Sequence, residues 1–238
     1  MKKPLLLLQF RPSPTAEHEI ECIKRAMKLK NKELEVVNVT EGDTLPAIND
    51  LRNYNGVILG ASSDYNISSL SKDIKSKCYS VKPVIKYLIK NDIPTLGICF
   101  GHQLLALFSG GKVERDETQA EAGVVKVYLN DHSDKTILFN GFPKSFYLAS
   151  GHKDSVTKLP KGAKNLAYSS STRNSIFQIK NDIFGIQQHP ELNIDGLVWR
   201  LSLFPEYMRD RTLEEVKNDF RPMPYAQKFL LNFKKLLS

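Results

Sequence analysis

What most constrains this chain is how short apolar runs alternate with amphipathic stretches through its first hundred residues. Leu5–Phe10, Leu34–Val39, Gly56–Leu59 and Pro94–Ile98 read as strands. Between them, residues 16–30 carry helical periodicity, with Ile20, Ile23, Met27 and Ala26 sharing a face and Thr15 placed to act as N-cap. Val81–Lys90 repeats the pattern with Val84, Ile85, Leu88 and Ile89 turned inward. Such strand–helix–strand alternation predicts a parallel sheet with helices on both faces. After Gly111 the texture becomes richer in β structure. Gly123–Leu129, Ser145–Ala149, Asn165–Ser169, Ser175–Ile179 and Ile183–Gln188 are short candidate strands separated by turn residues, and Asp195–Leu203 returns to helix. The expected architecture is an open, mostly parallel, twisted α/β sheet over residues 1–204. A C-terminal helical extension, 205–238, would pack on the same domain. It comprises a charged segment (Thr212–Asp219), a proline-containing break (Arg221–Pro224) and a last helix (Tyr225–Leu237).

Composition narrows the function classes. The chain has 238 residues, 41% hydrophobic and 25% charged, which is ordinary for a globular protein. The run Leu5–Leu8 is shorter than the ~7–15 apolar residues of a secretory signal, and no stretch approaches the ~20 needed to span a membrane. The three cysteines, Cys22, Cys78 and Cys99, are odd in number and widely spaced. That argues against a disulfide framework and a metal cluster, and fits a reducing, cytoplasmic setting. The net charge of +8 comes from lysines and arginines scattered on helix faces, such as Lys24, Arg25, Lys28 and Lys30. No stretch interleaves them with stacking aromatics, which argues against a nucleic-acid partner. No G-x-x-x-x-G-K-[ST] phosphate loop is present, and nothing calls for a cofactor or metal.

Chemistry concentrates at Gly97-Ile98-Cys99-Phe100-Gly101, a G-x-C-x-G pattern directly after an apolar strand and directly before an apolar helix (Leu104, Leu105, Ala106, Leu107). This is the sequence form of a nucleophile elbow, a sharp strand-to-helix turn that lifts one side chain above the sheet. Its glycines leave room for the tight turn. The helix N-terminus offers free N–H groups and a dipole that favour negative charge at Cys99. Cys22, inside a helical pattern, and Cys78, with no elbow, read as structural; His18 and His132 read as surface residues near turns or helix starts. A thiol nucleophile needs a base, and His189 stands at the end of the apolar run Phe184–Gln188. Pro190 pushes His189 toward extended backbone. In extended chain Glu191 faces the same side as His189 and can hold its tautomer.

Gly97-Ile98-Cys99-Phe100-Gly101-His102-Gln103 together with His189-Pro190-Glu191 resembles the class I glutamine amidotransferases, in the order Cys, His, Glu, over approximately residues 1–200. The resemblance implies a flavodoxin-like open α/β fold and hydrolysis of a γ-glutamyl amide through a γ-glutamyl thioester on Cys99. It also implies an oxyanion hole from the backbone N–H of Phe100 and one from Gly60 or Ala61, and substrate contacts from Gln103 and His152. Many amidotransferases carry Gly-Gly-Pro after the third strand. Gly60-Ala61-Ser62-Ser63-Asp64 instead is similar to the Gly-Ser-x-x-Asp of the stand-alone γ-glutamyl peptidases.

The expected substrate is therefore a small molecule, glutamine or a γ-glutamyl peptide. The ~40 residues beyond the sheet are too few for a synthase domain. The chain is expected to work alone or as the ammonia-producing subunit of a separate synthase, as in two-chain GMP synthase. A binding domain with a relic site is the non-enzymatic alternative, disfavoured by an intact Cys-His-Glu set. A redox or stress protein with an elbow cysteine is a further one, and it lacks a likeness to His189-Pro190-Glu191.

Overall fold

Four consecutive leucines, Leu5–Leu8, make up most of strand β1 (Leu5–Gln9) in the computed structural model, which describes residues 3–237. Every position of β1 is buried, because successive side chains point to opposite faces and both faces are covered. Leu5 and Leu7 join one core with Ile23, Met27, Phe229 and Phe233. Leu6 and Leu8 join another with Ile85, Leu88, Leu104 and Leu105. Burying a leucine is worth on the order of 2 kcal/mol, so this short strand ties both helical layers to the sheet.

The first half continues with α1 (Thr15–Met27), β2 (Leu34–Asn38), β3 (Gly56–Leu59), α2 (Lys72–Tyr79), α3 (Lys82–Asn91), β4 (Thr95–Ile98) and α4 (Phe100–Phe108). The second half holds β5 (Lys112–Arg115), β6 (Glu121–Leu129), β7 (Ser145–His152), β8 (Asp154–Lys158), β9 (Lys164–Ser169), β10 (Ile176–Ile179) and β11 (Ile183–Ile186). Then come α5 (Ile194–Leu203), α6 (Leu213–Asn218) and α7 (Pro224–Lys234).

The main sheet runs β2-β1-β3-β4-β11-β10-β9-β6-β7. From β2 through β11 neighbouring strands are parallel; from β11 to β7, in the half that the sequence marked as richer in β, they are antiparallel. Strands β5 and β8 form a separate antiparallel pair. β4 lies between β3 and β11, with Gly97 opposite Gly185 and Ile98 opposite Ile186. The chain leaving β4 and the chain leaving β11 therefore emerge side by side at one edge of the sheet. The C-terminal helix α7 packs Phe229, Leu230 and Phe233 into the same core as α1.

Several expectations need correction. Thr15 is not the N-cap of α1 but its first residue; Pro14 occupies the cap position, and the Thr15 hydroxyl donates to the Pro12 carbonyl at 2.8 Å. The helix stops at Met27 rather than Lys30, because Lys28 takes left-handed backbone (φ 51°, ψ 54°). Helix α2 and strands β5 and β8 carried no distinct apolar pattern: α2 buries only Cys78, and β5 reads Lys-Val-Glu-Arg. His18 is not a surface residue. It is half-buried and stacks on Trp199 with ring centroids 4.2 Å apart. Among the described residues no helix is long and apolar enough to cross a membrane.

Candidate active site

Cys99 caps α4 with φ 49° and ψ −99°, a conformation outside the regions open to L-residues without strain. A strand and a helix hold it there: its N–H donates to the Ile186 carbonyl of β11 at 2.8 Å, and its carbonyl accepts from the Gln103 N–H in the first turn of α4 at 3.0 Å. The flanking glycines are sterically required. A Cβ at Gly97 would stand 2.6 Å from the Gly101 carbonyl oxygen, and one at Gly101 would stand 2.0 Å from the Leu59 carbonyl oxygen. The same close approach lets the Gly101 N–H donate to the Gly60 carbonyl at 3.0 Å, fixing the elbow against the loop after β3.

His189 follows β11 and is anchored to β7, its N–H donating to the Ala149 carbonyl at 2.8 Å. Its Nδ1 lies 2.8 Å from Glu191 Oε1, and the Cys99 thiol accepts from Gln187 Nε2 at 3.5 Å and lies 3.9 Å from the Gly151 carbonyl oxygen. All three residues are buried. Burial opposes the charged imidazolium, yet the Glu191 carboxylate and Cys99 outweigh it and raise His189 above its ordinary value. Burial likewise opposes ionised Glu191, and the His189 charge and hydrogen bond overcome it, holding that carboxyl below the usual range. His189 and Glu191 are thus in direct contact, Cys99 is buried in the same neighbourhood, and Phe100 stands at the first position of α4, where a backbone N–H takes no intrahelical partner.

The loop after β3 departs from expectation. The Gly60 N–H continues the sheet pairing to the Leu8 carbonyl at 2.8 Å, and the Ala61 N–H donates to Glu19 Oε1 at 2.8 Å. Neither amide is free to serve as the second oxyanion donor in this arrangement. A buried carboxylate is the stronger acceptor, and it has captured the Ala61 N–H. Glu19 also pairs with buried Arg11 at 3.1 Å.

Gln103 and His152 are turned into a buried polar network instead of standing free. Gln103 Nε2 donates to the Asp154 carbonyl at 2.7 Å and to Gln187 Oε1 at 3.2 Å, and Gln187 Nε2 in turn reaches Cys99 Sγ at 3.5 Å. His152 Nδ1 sits 3.0 Å from the Asp154 carbonyl, and its Nε2 is 3.5 Å from Glu121 Oε2. Glu121 further accepts from Ser150, Ser169 and Gln188. Sequence reasoning missed Glu121, Gln187, Arg11 and Glu19 as members of this neighbourhood. Gln187, adjoining the motif at two residues before His189, was the only one with a local signal.

The far wall comes from the segment after α5. The Tyr207 hydroxyl donates to the Ser63 carbonyl at 3.0 Å, and Lys153 Nζ lies 4.7 Å above the Tyr207 ring. Ser63, Gly151, His189, Arg200, Phe204 and Tyr207 together enclose a cavity of about 20 Å³. Among the described residues no cluster of side chains could hold a metal ion.

Comparison with known proteins agrees with this geometry. A family model described as glutamine amidotransferase class-I matches residues 18–195. Gamma-glutamyl peptidase 4 of Arabidopsis thaliana is 33% identical over 161 residues, 67% of this chain and 62% of that protein. A subunit of the glutamine-hydrolyzing GMP synthase of Methanocaldococcus jannaschii is 39% identical over 112 residues, 47% of this chain and 57% of that one. The match to the GMP synthase of Borreliella burgdorferi covers only 25% of that protein. The crystal structure of a glutamine amidotransferase from Thermotoga maritima shares the fold, with a TM-score of 0.77 at 21% identity over 100% of both chains. With the family model spanning residues 18–195, the chain belongs to the class I glutamine amidotransferase family.

Proposed function

We propose that the chain is a cysteine hydrolase that cleaves a γ-glutamyl amide, releasing glutamate and an amine through a γ-glutamyl thioester on Cys99. The observation that supports it best is a strained elbow cysteine buried in the same site as a histidine whose Nδ1 is 2.8 Å from a buried carboxylate. His189 takes the Sγ proton as sulfur attacks the amide carbon, and Glu191 stabilises the imidazolium that forms. The imidazolium then protonates the leaving nitrogen. The amine departs and the thioester remains. Water, deprotonated by His189, attacks the thioester carbon and frees glutamate with Cys99 restored. The Phe100 N–H is placed to meet the oxyanion. A second donor from Ala61 would require that amide to leave Glu19.

Two readings of the amine follow from the relatives. The likeness to a γ-glutamyl peptidase favours an amino-acid or peptide leaving group and a chain that works alone. The likeness to separate glutamine-hydrolyzing GMP synthase subunits favours ammonia handed to a synthase partner. Amine release from L-glutamine and from γ-glutamyl dipeptides, beside a Cys99→Ala control, decides among them. Release lost in the control supports the hydrolase, and the preferred substrate separates the readings. Absence of release, persisting when a synthase partner is added, sinks both.

A further inference from the structure

Arg200, on α5, is 5% exposed and lines the small cavity beside His189. Its Nε donates to His18 Nδ1 at 3.0 Å, while its Nη2 is buried with no partner. Among the described residues no carboxylate oxygen lies within 4.0 Å of its guanidinium. The acids nearby make their hydrogen bonds elsewhere: Glu191 Oε1 on His189, Glu19 on Arg11, and Asp64 with the Thr15 hydroxyl at 3.4 Å; Glu191 acts on Arg200 only through its charge, and its Oε2 is buried without a hydrogen-bond partner. His18 supplies no counter-charge; burial, with Arg200 and Arg11 nearby, lowers it to about 4, so it is neutral at physiological pH. A second buried guanidinium, ion-paired through its Nε with Glu19, also leaves one nitrogen unpartnered. Arg11 is fully buried, its Nη1 donates to Ser63 Oγ at 3.1 Å, and its Nη2 also lacks a partner. Ser63 lines the same cavity.

Burying a guanidinium nitrogen unpaired is costly, and within the folded chain Arg200 Nη2 is missing a hydrogen-bond partner. We propose that a carboxylate of the substrate supplies it: Arg200 recognises that carboxylate beside His189, with Arg11 adding positive potential through Ser63. This rests on the γ-glutamyl reading of the site. Glutamine and γ-glutamyl peptides alike carry a carboxylate on the α-carbon, and peptides carry a second on the leaving amino acid. The enclosed volume of about 20 Å³ holds little more than a water molecule. The cavity is partly open to solvent, and a carboxylate needs more room than this volume, so side chains lining it must shift for one to enter.

The test is the rate at which Cys99 is labelled by 6-diazo-5-oxo-L-norleucine, a glutamine-shaped electrophile, by its α-methyl ester, and by iodoacetamide. The wild-type protein is expected to react roughly 10- to 100-fold faster with the free acid than with the ester, the range of one charge-assisted hydrogen-bonded contact. Arg200→Gln should bring that ratio toward one while leaving the iodoacetamide rate near wild type, and Arg200→Lys should keep part of it. An unfolded population would also bring the ratio toward one, so the result counts only where the melting temperature and the unchanged iodoacetamide rate show the variant folded, and partial retention in R200K separates lost recognition from lost fold. Protection by γ-glutamylglycine against γ-glutamylglycinamide locates the source. A preference there that R200Q erases assigns the bound carboxylate to the leaving amino acid. A wild-type free-acid to ester ratio near one with no preference for γ-glutamylglycine, or wild-type preferences unchanged in R200Q, overturns the proposal. Selective labelling without hydrolysis would sink the hydrolase reading and leave this one standing.

Discussion

The molecule holds two cysteine–histidine pairs, and only one is built for nucleophilic chemistry. Cys22 and His18 stand one turn apart on α1, with Sγ 3.5 Å from His18 Nε2. Cys99 and His189 come from two different strand ends. What separates them is the third group. His189 has the Glu191 carboxylate on its Nδ1; His18 has the Arg200 guanidinium on its Nδ1. Burial lowers both histidines; at His18 the arginine adds to it, while at His189 the carboxylate outweighs it, so the two shift in opposite directions: His189 up, His18 down to about 4. Burial raises the Cys22 thiol, with Glu191 adding to the effect. The pairing of residue types carries no function by itself; the charge behind the histidine decides whether it can store a proton taken from sulfur.

The largest effect should come from the nucleophile. Cys99→Ala is expected to remove hydrolysis by about 10⁶-fold, the scale of a deleted catalytic nucleophile. Cys22→Ala should leave kcat/KM within about twofold, provided the small cavity it creates is tolerated. Equal losses in the two variants, measured as amine release, would erase the distinction between the pairs. Next comes Glu191→Gln, which keeps the shape and removes the charge. Loss of the orienting carboxylate is expected to cost about 10⁴-fold in kcat. Because that carboxylate raises His189, the variant's imidazole should titrate at lower pH than the wild type's, as followed by NMR of the ring protons. A titration that does not move would mean that the environment of His189 is set by something other than Glu191.

The elbow also sharpens the comparison, because α1 gives Cys22 ordinary helical backbone and the β4–α4 turn does not. Gly101→Ala places a Cβ 2.0 Å from a backbone oxygen of β3, where nothing flexible can yield. A loss of roughly 1–3 kcal/mol or more in denaturant unfolding is expected, together with activity. Gly151→Ala meets nothing within 4 Å and should change stability by less than about 0.5 kcal/mol. If G101A is as stable as G151A, the strained turn is not what positions Cys99.

This elbow was legible in the sequence because its determinants are local: an apolar strand, two glycines four residues apart, and an apolar helix. The parallel strands were legible for the same reason, since a run buried on both faces has a composition of its own. His189-Pro190-Glu191 is local too. What stayed hidden was long-range. Nothing near Arg200 in the chain says that it will lie beside His18 and face the cavity next to His189, and nothing near Glu19 says that it will take the Ala61 N–H. Strands β5 and β8 alternate polar residues around Val113 and Val156 and only become strands by pairing with each other. His18 read as a surface residue because its stacking partner, Trp199, lies on a helix near the other end of the chain.

The smallest expected effect tests the non-catalytic pair directly. His18 has a folded-state pKa of about 4 against an ordinary value of 6.5, so the unfolded chain binds a proton more readily than the folded one between those values. Stability must therefore rise with pH across that window, and it falls as acid charges the ring beside Arg200 and Arg11. Half-burial screens the effect, which makes its direction the reliable quantity. His18→Gln removes the titration and should flatten the pH dependence of the unfolding midpoint between about pH 4 and 6.5 relative to wild type. It should leave the titration of His189 in place. A variant whose slope in that window matches the wild type would show that His18 is solvated enough to ignore the two arginines. The contrast with His189 would then rest on exposure and not on the sign of the neighbouring charge.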